Sequence, residues 1–512
     1  MLVFIVRRVI VSGFIVLAST ALMYVLVALS GNPLQDLLEL NGPSRQARIA
    51  ARTEALNLDV PIPGRYVLWL AEVGRCVFPG GDGCTLGLDR QNRPVLPQLD
   101  AALGSTLRLV LAATVLSLLV GVVAGVVSAL RQYSTFDHAV TVVAFLCFSL
   151  PVFWVSTLLK QYVAIDVNDW LRNPELTYVS IGLVALGTGG VWAVVIGGDL
   201  RRRLVVVAVA TAATSGTLAW LLTAGWFTRP SLGIVGIAVS ALVAAFLWTA
   251  LFAGLVPRTR SVLYASGAAA LAGTVVAGLA QPVMAGMTWL TFGLLGAGIV
   301  TLGGVIGWCL GGATRRLAAQ LAGLTGATVV AAMSIDQLLR SYPALYRATG
   351  GRPIATTGSR TPNLTGTFWE TNLDVALHLA LPTLAILAIS FASYTRYTRA
   401  SMLEVLGQDY VRTARAKGLN ERTVVVRHSL RNALLPLATL VAFDFAGVLS
   451  GAVVTETVFG WNGMGKLFTT GLTNIDPNPV MAFFLVTAVA TVAFNLVADL
   501  AYAFLDPRIR IR

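Results

Sequence analysis

The chain has 512 residues, 56% hydrophobic and only 12% charged, with a net charge of +13 and a mean hydropathy of +0.76. Soluble globular domains carry roughly a quarter charged residues, so the composition excludes that class and points to the lipid bilayer. Nucleic-acid binding is also excluded as the meaning of the positive charge. The arginines stand beside the ends of apolar runs, where membrane topology needs them.

Runs able to cross about 30 Å of hydrocarbon as helices fall near 9–30, 105–130 and 139–163. Six more lie near 178–198, 204–225, 231–254, 261–281, 287–311 and 317–338, and the last three near 374–395, 434–455 and 480–504. Lipid offers no partner to backbone amides, and the runs lack strict alternation, so helices are expected and a β-barrel is not. The expected fold is an all-α polytopic membrane protein of about 12 transmembrane helices. Arg7-Arg8 opens segment 1–30, but its apolar stretch exceeds a signal h-region and no small-residue cleavage site follows, so a retained helix is expected.

With Arg7-Arg8 in the cytoplasm and the sides alternating, Arg131, Arg201 to Arg203, Arg258, Arg260, Arg315 and Arg316 all fall inside. So do the basic loop 396–433 and Arg508, Arg510 and Arg512 at the tail. The positive-inside rule is met at every short internal loop, giving a multi-pass protein of the inner (plasma) membrane with both termini cytoplasmic. The long segments 31–104 and 340–373 come out external; both are rich in Gly, Pro, Asn and Thr and read as irregular or partly helical. In the first, Cys76 and Cys84 flank a Pro/Gly-rich turn, and an external position lets them either bridge or stay free.

Segment 396–433 carries the functional argument. A first helix over about Ser401–Lys417 sets Leu403, Leu406, Tyr410 and Ala414 on one side. Gly418 suits a left-handed helix end, and Asn420 caps a second helix with Glu421 at its positive end. That helix runs through Val424, Val425 and Leu430 toward Pro436. Such an elbow, exposing Ala414, Ala416 and Gly418 among arginines, suits a docked protein; the alternative is a basic segment resting on anionic lipid.

Asp409-Tyr410-Val411-Arg412-Thr413-Ala414-Arg415-Ala416-Lys417-Gly418-Leu419 and His428 to Pro436 resemble the coupling loop of binding-protein-dependent ABC permeases, in the oligopeptide/dipeptide (and nickel) branch. The general family reads Glu-Ala-Ala, three residues, Gly, and Pro about thirteen positions later. Here Arg412-Thr413-Ala414 stands for Glu-Ala-Ala and the Gly-to-Pro interval is longer, as in the peptide branch. Ser149 to Trp154, His378 to Thr383, Tyr397 to Met402, Thr455 to Trp461 and Asp506-Pro507-Arg508 resemble the same branch. The likeness covers 1–170 and 340–512, divided by the loops into core parts 105–170 and 374–512. It leaves 171–339 as an inserted accessory bundle, in which Gly303 and Gly307 suit close packing.

The resemblance implies a type I ABC importer domain, with a six-helix core and about six inserted helices, that moves di- or oligopeptides. Implied partners are a second homologous permease, two cytoplasmic ABC ATPase subunits, an extracytoplasmic substrate-binding protein and membrane lipid. Arg412, Ala414, Ala416, Lys417, Gly418, Leu419, Asn420 and Glu421 would couple to the ATPase. Nickel or another small solute remains an alternative cargo. A self-contained secondary transporter is the rival from another class; it predicts internal repeats and a pair of broken helices in matching positions, but the 396–433 loop has no second copy in the sequence.

No catalytic residue, metal site or cofactor is expected. Gly460 to Leu467 nearly spells a phosphate-binding loop, yet Leu467 replaces the Ser or Thr and no strand precedes it. His138, His378 and His428 are too scattered to share a metal. Candidate path residues are Asp444, a carboxylate inside a span, and Thr455 and Glu456 at the external end of theirs, where Glu456 could meet substrate or the delivering protein. Pro151 and Pro382 are expected to bend their helices.

Overall fold

The computed structural model describes residues 2–39, 44–77, 83–254 and 259–505, without the side chains of 2–5, 498–505 and eleven positions between 435 and 451. Arg258, most of the turn between Cys76 and Cys84, and Asp506-Pro507-Arg508 with the tail arginines lie outside the described residues. Among those described, all regular structure is helical. First come α1 (Leu2–Leu29), the short α2 (Gln35–Leu38) and α3 (Arg45–Ala55), and α4 (Ile62–Val77). Then follow α5 (Val95–Leu130), α6 (Thr135–Ser149), α7 (Val152–Leu158), a π-helical stretch Leu159–Ile165 and α8 (Asp166–Arg172).

The middle of the chain forms α9 (Tyr178–Ile196), α10 (Leu200–Thr223), α11 (Gly233–Phe252), α12 (Arg260–Ala280), α13 (Trp289–Leu310) and α14 (Arg315–Ala348). The C-terminal part forms α15 (Phe368–Leu406), α16 (Asp409–Ala416), α17 (Glu421–Thr423), a second π-helical stretch Val424–Leu430 and α18 (Arg431–Ala433). It ends with α19 (Leu435–Val458), α20 (Met464–Thr473) and α21 (Pro477–Leu505). Ten of the described helices are long and apolar enough to cross a membrane. They become eleven if α6 and the run Val152–Arg172, bent by 103°, form one crossing. The break falls at Pro151, as expected, whereas α15 continues through Pro382. The 24 residues of α19 stand outside that number.

The core is organised around α5 and α15, which pack along each other. Gly121 and Gly125 make the approach possible: a Cβ on either would sit 2.7 Å from the Cβ of Tyr394 or Thr398. α6 lies against α15, and α19 is flanked by α5, α20 and α21. One end of this core, the elbow face, holds the α5–α6 turn and residues 407–434. The opposite face holds the described parts of 31–94 with 349–367 and 459–476.

The middle block is not one bundle, contrary to expectation. α11 to α14 form a four-helix bundle, while α9 and α10 pair as a separate hairpin whose second helix buries no residue. Gly303 and Gly326 bring α13 and α14 into backbone contact, where a Cβ on Gly303 would meet the Ala322 carbonyl at 2.6 Å. α14 also runs unbroken through residue 339, so no structural boundary falls there.

Polar residues fasten the opposite face. Cys76 and Cys84 are joined by a disulfide. Asp36 pairs with Arg52 at 2.6 Å and with Arg90, which also reaches the Asn474 carbonyl. Asp476 accepts the Arg90 amide at 2.7 Å through one carboxylate oxygen, and its buried Oδ1 has no hydrogen-bond partner among the described residues. Burial, with a smaller push from the neighbouring Asp89 charge, raises the Asp476 carboxyl to about 6 despite the Arg90 hydrogen bond. The folded chain therefore holds a proton that the unfolded chain has released, and stability falls as pH rises from about 4 to about 6. Asp476→Asn is expected to raise the thermal midpoint of the detergent-solubilised chain at neutral pH. It should have little effect near pH 3, below both pKa values.

Candidate functional site: the elbow and its anchor

The membrane helix α15 does not stop at the expected start of the elbow. It continues to Leu406, and Gly407-Gln408 then break the chain, so the expected single helix over Ser401–Lys417 is two pieces. The first arm of the elbow is α16 alone. It ends in a Schellman turn, with Leu419 N–H donating to Ala414 O at 3.4 Å and Gly418 N–H to Arg415 O at 2.9 Å. Gly418 sits at φ +74°, the left-handed position expected of it. Asn420 caps the second arm by accepting from Thr423 N–H at 2.8 Å, also as expected.

The inner faces of both arms are apolar. Val411, Ala414 and Val424 are buried together against Val405 and Leu406. Met402, Val425 and Ala433 pack on Ala129 at the end of α5. Ala414 is thus part of the hinge packing and does not belong to the exposed docking surface where sequence placed it. Tyr410 is exposed and its hydroxyl accepts from Asn432 Nδ2 at 2.8 Å. The second arm winds as a π-helix, a form rare in proteins and concentrated at functional sites.

The outer surface comprises Arg412, Ala416, Lys417, Gly418, Leu419, Asn420 and Glu421, all exposed. Arg415 grips Glu421 across the turn through Nε–Oε2 at 3.1 Å and Nη2–Oε1 at 2.7 Å. That hydrogen bond and charge hold the Glu421 carboxyl below its ordinary range. An exposed pair adds little stability in water. Its two parallel bonds instead fix the angle between the arms.

Two side chains anchor the elbow to the bundle. Arg399, one turn before Met402, donates to Asp137 through Nε at 2.9 Å and Nη2 at 3.0 Å. Asp137 is buried and also accepts from the Ser128 hydroxyl and, at 3.0 Å, from Tyr133 N–H. Arg422 in the second arm lies over the Phe252 ring at the end of α11, 5.6 Å from its centroid.

The candidate path residues fall elsewhere. Asp444 is half-buried and faces Tyr394. Thr455 and Glu456 are both buried within the chain. Glu456 does not present its carboxylate to an approaching ligand. It accepts from the Thr106 hydroxyl at 2.6 Å, Gly465 N–H at 2.7 Å and Lys466 N–H at 3.3 Å. This explains the loop that resembles a phosphate cradle. The N–H groups at the start of α20 that such a cradle would turn to a phosphate are taken by the protein's own Glu456 carboxyl oxygens. A Cβ on Gly465 would sit 2.8 Å from Glu456 Oε2.

Sequence reasoning passed over Lys160. It lies inside the third span, where an ionisable side chain is by default a functional signal. Its Nζ reaches only the Val458 carbonyl, at 3.4 Å, among the described residues. No group of His, Cys, Asp and Glu among those residues could hold a metal ion.

Residues 327–511 match the family described as the binding-protein-dependent transport system inner membrane component. This segment contains the elbow, both of its arms and the helices entering and leaving it.

Among similar proteins is the oligopeptide transport system permease protein OppB of Mycobacterium tuberculosis, 43% identical over 155 residues, or 30% of this chain and 48% of that protein. Another is the oligopeptide transport system permease protein AppB of Bacillus subtilis, 47% identical over 132 residues, or 26% and 42%. The dipeptide transport system permease protein DppB of Escherichia coli is 43% identical over 138 residues, or 27% and 41%. The chain spans about half the length, or less, of these curated relatives. The long apolar helices and the inner-membrane family match of 327–511 together support a multi-pass membrane protein.

Glu456→Ala leaves two backbone N–H groups and a hydroxyl without their buried acceptor. It is expected to cost on the order of 3 kcal/mol and to lower the thermal midpoint clearly. Asp409→Ala, at a 98% exposed carboxylate, should leave the midpoint unchanged in the same scan.

Proposed function

We propose that the chain is one permease subunit of an ATP-driven importer of di- or oligopeptides. A second, homologous permease completes the translocation path. The elbow face lies in the cytoplasm with both termini, and two ABC ATPase subunits dock there. An extracytoplasmic binding protein delivers cargo to the opposite face. ATP hydrolysis belongs to the ATPases, and this chain converts their motion into helix movement.

The observation that carries this reading is the construction of the elbow. Its outer surface is small and polar around Ala416 to Glu421, so another protein's backbone can approach closely. Its inner surface is apolar and continuous with the ends of α5 and α15. A push on the outside therefore reaches both helices without being absorbed by loose packing, because packed contacts shift between discrete arrangements. The arginines beside the elbow face support its cytoplasmic position. The family match of 327–511 and the peptide-permease names of the relatives support the transport class and the cargo.

Closure of the ATPases on ATP would tilt α15 through α16, and α19 through α17 and α18. Arg399 and Asp137 would pass the same motion to the α5–α6 turn. The coupling is the difference in docking free energy between the two states.

Ala416→Trp places a bulky ring on the outer surface without disturbing the buried residues beneath. It is expected to reduce ATP-dependent peptide uptake by at least about tenfold, equivalent to roughly 1.4 kcal/mol of coupling, with membrane insertion and thermal midpoint intact. Gly418→Pro should reduce uptake at least as much with membrane insertion intact, since proline cannot adopt φ +74° and the turn is lost. Normal uptake by both variants would contradict the docking role.

A further inference from the structure

A cavity of about 390 Å³ opens on the opposite face between the first π-helical stretch, the start of α15 and the loop that joins α14 to α15. Its volume lies within the usual range for small-molecule sites. Three features make it a built site. The wall is fixed by Asn168, which is buried and pairs with Ile354 in both directions: Nδ2 donates to the Ile354 carbonyl at 2.8 Å, and Oδ1 accepts its N–H at 3.0 Å. Another wall is the π-helical stretch Leu159–Ile165, whose Ala164 packs against Leu381 and Phe459. Behind the cavity, Asp374 is consumed by Thr361, accepting from its N–H at 2.8 Å and its hydroxyl at 2.5 Å.

The polar groups left over are cationic or free. Lys160 lines the cavity with no carboxylate within ion-pair distance among the described residues. His378, buried at the start of α15, donates from Nδ1 to the Asp374 carbonyl at 2.8 Å, with Asp374 Oδ1 3.3 Å away. Its Nε2 has no partner among those residues. Arg352 stands at the rim, and the one carboxylate lining the cavity, Asp169, is shared at 4.0 Å between Arg352 and Arg172. An ammonium half-buried in a membrane span and unpaired is costly, and a bound carboxylate would offset that cost.

We propose that this cavity is a carboxylate subsite at the mouth of the path, in which Lys160 receives the C-terminal carboxylate of the cargo and His378 Nε2 its adjacent polar backbone. The identity of that cargo rests on the peptide-permease reading; the carboxylate site rests on the cavity alone. The ammonium binds as a point charge and the carboxylate stays ionised, so no covalent step is involved.

Equilibrium dialysis of the full-length chain in lipid nanodiscs, against labelled trialanine and trialanine amide, tests the proposal. The free acid is expected to bind at least about tenfold more tightly than the amide, as for a charge-assisted hydrogen bond. Lys160→Met should abolish that preference at an unchanged thermal midpoint, and Lys160→Arg should restore most of it. Equal binding of acid and amide, no binding of either, or an undiminished preference in Lys160→Met would overturn the site. Trialanine uptake into cells separates the two readings. Normal uptake by Lys160→Met would overturn the subsite and leave the peptide reading standing. No uptake by the wild type, with Lys160-dependent binding intact, would overturn the peptide reading and leave the site.

Discussion

Arg399 donates twice to the buried Asp137 from the last membrane turns of α15, and the position of the elbow depends on that contact. Two further donors, the Ser128 hydroxyl and Tyr133 N–H, complete the carboxylate's shell, so the α5–α6 turn and α15 are locked in register. Buried ion pairs add little net stability over apolar packing, but losing one partner is expensive. The pair therefore selects one arrangement of the helices. Everything beyond Met402 inherits its position: α16 follows within a turn, and the apolar inner faces of the elbow rest on the end of α5.

The inserted helices are fitted to this frame at both of its ends. At the elbow face, Arg131 donates to the Val195 carbonyl at 2.6 Å and Arg203 to Thr135 at 2.8 Å, so the α9–α10 hairpin grips the α5–α6 turn beside Asp137. Arg422 lies on Phe252 of the four-helix bundle. At the opposite face, the indole of Trp369 donates to the Met284 carbonyl at 2.7 Å, and Phe292 packs edge-on against it. The insertion thus touches the first turns of α15 and, through Arg422, the elbow that follows its last. Arginines such as Arg131, Arg203 and Arg422 serve twice, once as topology signals and once as fasteners between the two parts.

Much of this was legible in the residues because the strongest signals are local. Apolar length fixed the helices, and Gly418 and Asn420 fixed the turn, since left-handed φ and N-capping depend on their own neighbours. What failed depended on distant partners. Ala414 reads as exposed on a short amphipathic helix, but Val424, ten residues later, folds back to cover it. Glu456 reads as a free carboxylate at the end of a span until Thr106, 350 residues away in sequence, supplies its hydroxyl. The middle block reads as six equivalent spans; which of them pack together depends on contacts between helices distant in sequence. Lys160 was visible all along as a charge within an apolar run.

In the proposed function, the elbow transmits work done by another polypeptide. Transport in proteoliposomes tests it most directly, comparing the purified chain alone under an imposed ion gradient with the complete assembly supplied with ATP. Peptide is expected to accumulate only where ATP and a nucleotide-hydrolysing subunit are both present. Accumulation driven by the ion gradient in vesicles holding this chain alone would contradict it.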